Sequence, residues 1–135
     1  KAGEYGATTG RPRRCGWFDA VAGRFSVRIN GMTEIALTHL DIFDGFKSVK
    51  VCTGYRMGDK AISTFPSRLE EVEMCEPVYE EFDGWDECTE DLDSFEKLPK
   101  NAQHYVHTIE RLLDCEVSLV SMGPKREQMI SARSR

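Results

Sequence analysis

Three guanidinium groups fall within four positions of this chain, at Arg11, Arg13 and Arg14 around Pro12, directly after Thr8, Thr9 and Gly10. A guanidinium grips a carboxylate or phosphate through two parallel N–H bonds. Threonine hydroxyls donate to the same kinds of oxygen. Glycine allows the backbone to turn with its amides outward, the geometry of a concave anion site. One anion does not need three arginines, so the pattern points to a place where several anionic groups meet. A solvated basic loop is the alternative these residues leave open.

Two other segments carry candidate chemistry. In Leu37-Thr38-His39-Leu40-Asp41 a carboxylate is expected at the end of a buried strand. It can accept two hydrogen bonds at once from a partner that presents a pair of N–H donors. Leaving such an acceptor unpaired costs about 1–3 kcal/mol. By residue type alone, Asp41 equally suits a cap on a turn or helix over 42–46. Ser121-Met122-Gly123, before Pro124, reads as a turn after a strand, and ligands bind at such strand ends in open α/β sheets. The methionine in its middle implies contact through backbone rather than side chain. His104, His107 and Glu110 share one helix, but without an H-E-x-x-H pattern they are expected to flank its apolar stripe rather than hold a metal.

The run from Gly6 to Asp19, Gly-Ala-Thr-Thr-Gly-Arg-Pro-Arg-Arg-Cys-Gly-Trp-Phe-Asp, resembles the substrate loop of adenylosuccinate synthetases. Further landmarks follow in the family's order. Thr38-His39-Leu40-Asp41 is similar to its guanine-recognition segment, and Gly84-Trp85, Leu98-Pro99, Ala102, Tyr105 and Ile109-Glu110 resemble later ones. Ser121-Met122-Gly123-Pro124, with Arg126 and Ile130, is similar to its last nucleotide segment. The resemblance implies a ligase that joins L-aspartate to IMP with GTP, giving adenylosuccinate, GDP and phosphate, with Mg²⁺. It implies that Ala7, Thr8, Thr9, Gly10, Arg11, Pro12 and Arg13 close over aspartate, Arg11 also reaching IMP and Arg13 also reaching GTP. His39, Leu40, Asp41, Ser121, Met122 and Gly123 are implied to contact GTP. The family usually carries lysine where this chain has His39, and an imidazole can stack on guanine instead. Pro12 stands where relatives are often basic and is expected to stiffen the loop.

Family members are about three times longer, so the chain is expected to be the C-terminal part of such an enzyme, one domain binding substrate and guanine nucleotide. The catalytic residues and most Mg²⁺ contacts then belong to an N-terminal part, and this part alone is expected to be inactive. The resemblance implies a cytoplasmic homodimer. A stand-alone, non-catalytic module binding anions or nucleotides is the competing reading.

Composition is compatible with either. The 135 residues are 40% hydrophobic and 30% charged, ordinary for one soluble domain with its own core. No apolar run approaches the roughly 18 residues of a membrane span, and no signal peptide is recognised. Five cysteines, odd in number and without C-x-x-C, argue against a disulfide framework and for a reducing compartment. The net charge of −5 hides an asymmetry: residues 1–30 hold six Lys/Arg against two acids, while residues 70–96 hold thirteen Asp/Glu. That distribution does not suit a nucleic-acid binder.

The elements that must position these groups are legible as a mixed α/β pattern with antiparallel strand pairs. Residues 1–16 are expected as loop. A helix is expected from Trp17 to the Asn30-Gly31 stop, its apolar stripe running through Phe18, Val21, Ala22, Phe25 and Ile29. The arginine loop then feeds a helix N-terminus, whose amides favour anions. A buried strand is expected over 34–40. Alternation over 48–57 puts Val49, Val51, Thr53, Tyr55 and Met57 on one face, with Gly58-Asp59 turning into a returning strand over 61–65. A helical turn follows at 68–73, a strand at 77–82 and an irregular acidic surface over 83–98. Pro99 opens a helix burying Ala102, Tyr105, Val106, Ile109, Leu112 and Leu113, and a last strand covers 116–121.

Overall fold

A computed structural model describes residues 3–133; Lys1 and Ala2, expected as part of the first loop, lie outside them. Its elements, in chain order, are β1 (Phe18–Asp19), α1 (Ala20–Asn30), β2 (Glu34–Leu37), β3 (Phe46–Met57), β4 (Lys60–Ile62), α2 (Leu69–Glu73), β5 (Glu76–Trp85), α3 (Lys100–Leu113), β6 (Glu116–Ser121) and β7 (Met129–Ser131). Short 3-10 turns stand at Leu40–Phe43, Phe95–Lys97 and Arg126–Gln128. The mixed α/β class with antiparallel pairs is the one expected.

The long strand β3 organises one sheet. β5 runs antiparallel along one edge from Phe46↔Trp85 to Arg56↔Glu76. The other edge is shared by β1, parallel at Val51 and Cys52, and β4, antiparallel at Tyr55–Met57. Gly84 is required where β5 crosses β3, because a Cβ there would stand 1.8 Å from the Phe46 carbonyl oxygen. The second sheet pairs β2 parallel to β6 and β7 antiparallel to β6. α3 supplies the middle of the core: Ala102, Tyr105, Val106, Ile109 and Leu113 pack with Val49, Val51, Trp85, Val117, Val120 and Met122. α1 lies against α3, where Gly23 leaves room for Leu113.

Several boundaries differ from the sequence expectation for identifiable reasons. The first helix begins at Ala20 rather than Trp17, because Phe18 and Asp19 are pulled into the sheet beside β3. Asp19 is the N-cap, and its Oδ1 accepts from the amides of Val21 (2.9 Å) and Ala22 (3.0 Å). The helix N-terminus is therefore occupied by its own carboxylate and does not open toward the arginine loop. Phe25 and Ile29 are exposed rather than part of a buried stripe, Phe25 stacking on Phe65 at 5.2 Å. The strand expected over 34–40 stops at Leu37, since His39 adopts a left-handed φ of 61° and turns the chain into the 3-10 segment. A register shift between Cys52 and Gly54 breaks the alternation of β3. Tyr55 consequently packs with Cys52 and Val21, away from Val49 and Val51. The returning strand is shorter than expected, ending at Ile62, and β5 runs on to Trp85. The acidic segment is not all surface: Thr89, Phe95 and Leu98 are buried within it. β7 had no sequence signal and owes its place to pairing with β6.

Asp19 also accepts a 2.6 Å hydrogen bond from the Tyr55 hydroxyl. Burial, then this bond, pushes the Tyr55 phenol well above its ordinary range. The protonated phenol thus stabilises the fold up to about pH 10, and that contribution fades as pH rises further. Urea unfolding should show Tyr55→Phe costing about 1–2 kcal/mol at neutral pH and weakening the alkaline loss of stability. Asp19→Ala should cost more, since it removes the helix cap and strands the phenol.

Candidate functional site

The arginine loop folds on itself as a narrow antiparallel excursion. Tyr5 bridges Pro12, the Gly6 amide donates to the Arg11 carbonyl (2.9 Å), and the Gly10 amide donates to the Gly6 carbonyl (2.8 Å). The Arg13 amide donates to the Glu4 carbonyl at 2.9 Å. Gly10 sits at φ 63°, the left-handed conformation that closes this turn. The amides of Gly6, Gly10, Arg11 and Arg13 are therefore spent inside the loop. What the loop offers is side chains: Ala7, Thr8 and Thr9 at its tip, and three exposed arginines on its returning limb. Thr9 Oγ1 accepts from the Arg11 amide at 3.4 Å. Among the described residues only Arg13 of the three arginines has an ion-pair partner, Glu4 at 3.3 Å.

Glu4 links this loop to the second candidate segment, since its other carboxylate oxygen lies 3.9 Å from His39 Nε2. A cleft of about 140 Å³ joins them further, lined by Gly16 and Phe18 from the loop's exit, Thr38, His39 and Leu40 from the turn, and Tyr105 from α3. Burial holds the Tyr105 phenol above its ordinary range, so it faces this cleft uncharged. The arginine loop and the Asp41 turn thus share one side of the molecule.

Asp41 lies within the 3-10 turn, four residues beyond the end of β2, rather than at the strand terminus. Its carboxylate caps nothing. Oδ1 is buried and, among the described residues, has no hydrogen-bond donor. Withholding a buried carboxylate oxygen from both water and donors is costly, and native structures rarely retain such an atom without a use for it.

Ser121-Met122-Gly123 follows β6, whose Val120 pairs with Leu37 of β2. The two parallel strands therefore end together, and β6 packs on the Leu40–Phe43 turn. Met122 is fully buried in the core, so only its backbone can reach outward. The Ser121 hydroxyl donates to the Gly123 carbonyl at 2.8 Å. Gly123 rests on Gln128, and a Cβ there would come within 2.3 Å of the Gln128 side-chain oxygen. Gln128 is held in place by the Lys125 amide (3.0 Å), by Glu90 (3.1 Å) and by its own carbonyl accepting from the Met122 amide (2.9 Å).

A family model described as adenylosuccinate synthetase matches residues 1–130. The chain belongs to the adenylosuccinate synthetase family. It is 52% identical over 134 residues to the adenylosuccinate synthetase of Caldanaerobacter subterraneus subsp. tengcongensis, covering 99% of this chain and 31% of that relative. With the Clostridioides difficile enzyme the identity is 53% over 131 residues, covering 97% and 30%. A solved structure, fully ligated adenylosuccinate synthetase from Plasmodium falciparum, superposes with a TM-score of 0.91 at 36% identity, covering 96% of this chain and 32% of that one. The chain therefore spans about a third of the length of the adenylosuccinate synthetases it matches.

Residue-type reasoning did not single out Glu4, Asp44, Thr89 or Gln128. Glu4 stands two residues before the Gly6–Asp19 run and Asp44 three residues after Asp41, a signal that was present. Thr89 has no local signal, because its partner Asp44 is 45 residues away, and Gln128 meets Glu90 from 38 residues away. His107 pairs with Glu110 at 3.2 Å, whose other oxygen accepts from the Val117 amide at 3.0 Å, so this pair ties α3 to β6. Gly123→Ala should destabilise the chain by about 1–3 kcal/mol through its clash with the held Gln128 amide. Adding Gln128→Ala should recover part of that loss, and a double-mutant cycle in urea measures the coupling.

Proposed function

We propose that the protein containing this chain is a ligase that forms adenylosuccinate from IMP and L-aspartate at the expense of GTP. In that reaction GTP phosphorylates the purine 6-oxygen of IMP, releasing GDP. The aspartate amine then attacks C6, and phosphate leaves with the oxygen. The 135 residues act as one domain that receives aspartate and reads the guanine base, with the proton-transfer residues supplied from outside it.

The observation that carries this reading is the buried Oδ1 of Asp41, which has no donor among the described residues and lies in a turn beside the ends of two parallel strands. Guanine N1–H and N2–H₂ would provide the missing donors, whereas adenine would leave the carboxylate unpaired. His39 and Leu40 flank Asp41 in the turn. His39, half exposed, is available to stack on the base, while Leu40 is buried, so its contact would come from backbone. Ser121, Met122 and Gly123 would close the other side of the base by backbone as well. Ala7, Thr8, Thr9, Gly10 and Pro12 would fold over aspartate, whose two carboxylates suit the hydroxyls of Thr8 and Thr9 and the guanidiniums of Arg11 and Arg13. Arg11 would also meet IMP and Arg13 the GTP phosphates. Fixed positive charge at that convergence favours the transition state without reorganising at the moment of reaction.

The Mg²⁺ expected for such a reaction is assigned mainly to the N-terminal part, since Mg²⁺ is usually held by one or two carboxylates together with substrate phosphates. Among the described residues no three His, Cys, Asp or Glu side chains gather where they could hold a metal ion. No step assigned to these residues passes through it. A cytoplasmic homodimer completes the reading, and no helix of the described residues is long and apolar enough to cross a membrane.

In the whole ligase, Asp41→Asn should lower kcat/KM for GTP by about 10- to 150-fold, the loss of a charge-assisted acceptor of about 1.5–3 kcal/mol, and narrow the preference for GTP over ATP. An unchanged GTP/ATP ratio would sink the base-reading role. The isolated 135 residues should form no adenylosuccinate.

A further inference from the structure

Three residues after Asp41 stands a second carboxylate in the opposite condition. Asp44 is surrounded by donors: Trp85 Nε1 reaches its Oδ1 at 2.8 Å, the Thr89 amide reaches Oδ2 at 2.8 Å, and the Thr89 hydroxyl lies 3.0 and 3.2 Å from the two oxygens. Trp85 and Thr89 are both buried, Thr89 completely. The Asp44 amide meanwhile donates to the Asp41 carbonyl at 3.2 Å, closing the 3-10 turn, and the Gly45 amide donates to the Trp85 carbonyl at 2.9 Å. The turn that holds Asp41 is thus bolted at its C-terminal end to a segment more than forty residues away.

Phe43, one of the two residues between, is packed on the same anchor. Its ring lies 6.2 Å from Trp85 and 5.6 Å from Tyr105, both edge-on, and 6.0 Å from Trp17 in a stacked arrangement. At its other end the turn is entered through His39 at φ 61°, with no side-chain cap. Its geometry is therefore set from the Asp44 side. A carboxylate that is to meet two base donors must be placed within a few tenths of an ångström, and groups held by packing and second contacts achieve that placement.

We propose that Asp44, Trp85 and Thr89 form a positioning lock that aims the Asp41 carboxylate, so that residues with no contact to the nucleotide set how sharply the base is discriminated. This rests on the base-reading role of Asp41 given above. A three-donor carboxylate is strong and directional, because ionised acceptors make shorter and stronger hydrogen bonds. Loosening it shifts the turn from its Asp44 end, whereas the arginine loop is closed by its own backbone bonds.

The test uses the whole ligase with Thr89→Val, Trp85→Phe and Asp44→Asn, and Thr89→Ser as the conservative rescue. Each is assayed for KM and kcat with GTP and ATP, for KM with aspartate, and for thermal unfolding. Thr89→Val and Trp85→Phe should narrow the GTP/ATP preference by about 2- to 30-fold. The effect should appear mainly in KM for GTP, while KM for aspartate stays within about twofold. Thr89→Ser should restore the preference. A role in stability alone would lower the unfolding temperature and leave the GTP/ATP ratio untouched, and that result overturns the lock. Asp41→Asn is the reference: if it abolishes the preference while folded Thr89→Val and Trp85→Phe keep it, the lock fails and the base-reading role survives. If Asp41→Asn itself keeps the preference, the underlying reading fails. Should Asp44→Asn not fold, the two milder variants decide the question.

Discussion

The parallel pairing of β2 with β6 is the constraint on which the candidate site depends. These strands are drawn from chain positions 83 residues apart, as in the bond from the Ser118 hydroxyl to the Ile35 carbonyl. Because they run in the same direction, their C-terminal ends arrive together, and the segments Thr38–Asp41 and Ser121–Gly123 emerge side by side. An antiparallel arrangement would have sent those segments to opposite ends of the sheet. Parallel strands need a long crossover to return in the same direction, and here β3, β5 and α3 form it. The core they make, centred on Tyr105, Ile109 and Val51, also supports the aromatic cluster under the turn.

Two carboxylates within one short turn illustrate how the fold divides labour. Asp44 has its oxygens filled by Trp85 and Thr89, which turns a polar group into an anchor. Asp41 keeps a buried oxygen with no donor among the described residues, which leaves a polar group open to a ligand donor. The anchored group stabilises and the open one costs stability, and a fold tolerates the second most readily where the first holds the backbone still. The Ser121–Gly123 turn follows the same logic with Gln128 as its support. The arginine loop differs: its backbone is closed on itself by Gly6, Gly10 and Arg13, and its charge is carried by exposed side chains, with Glu4 tying it to His39.

Much of this was legible from residues close together in the chain. The Gly58-Asp59 turn, the strand through 48–57, the helix after Pro99 and its buried stripe, and the strand at 116–121 all stand where periodicity and turn residues put them. The arginine loop and Asp41 were recognisable because their chemistry is compact. The first helix was misplaced by three residues because Trp17 and Phe18 continue an apolar spacing, while β3 claims Phe18 and Asp19 for its edge. The phase of β3 was lost at Cys52–Gly54, where a bulge set by pairing with β5 moves Tyr55 to the other face. The acidic stretch read as surface because its charges dominate the composition, although Thr89, Phe95 and Leu98 turn inward.

The amino-acid order alone therefore determined the local pieces: helix stops, the hairpin turn, the cluster of guanidiniums, the kinship to adenylosuccinate synthetases. These depend on interactions among neighbours, whose partners are at hand wherever the chain goes. Only the tertiary structure decided that Asp19 answers to Tyr55, and that, among the described residues, Asp41 Oδ1 is left without a donor while Asp44 meets Trp85 and Thr89. Each of those depends on a partner brought in by folding, and a buried polar atom acquires its meaning from whether such a partner arrives.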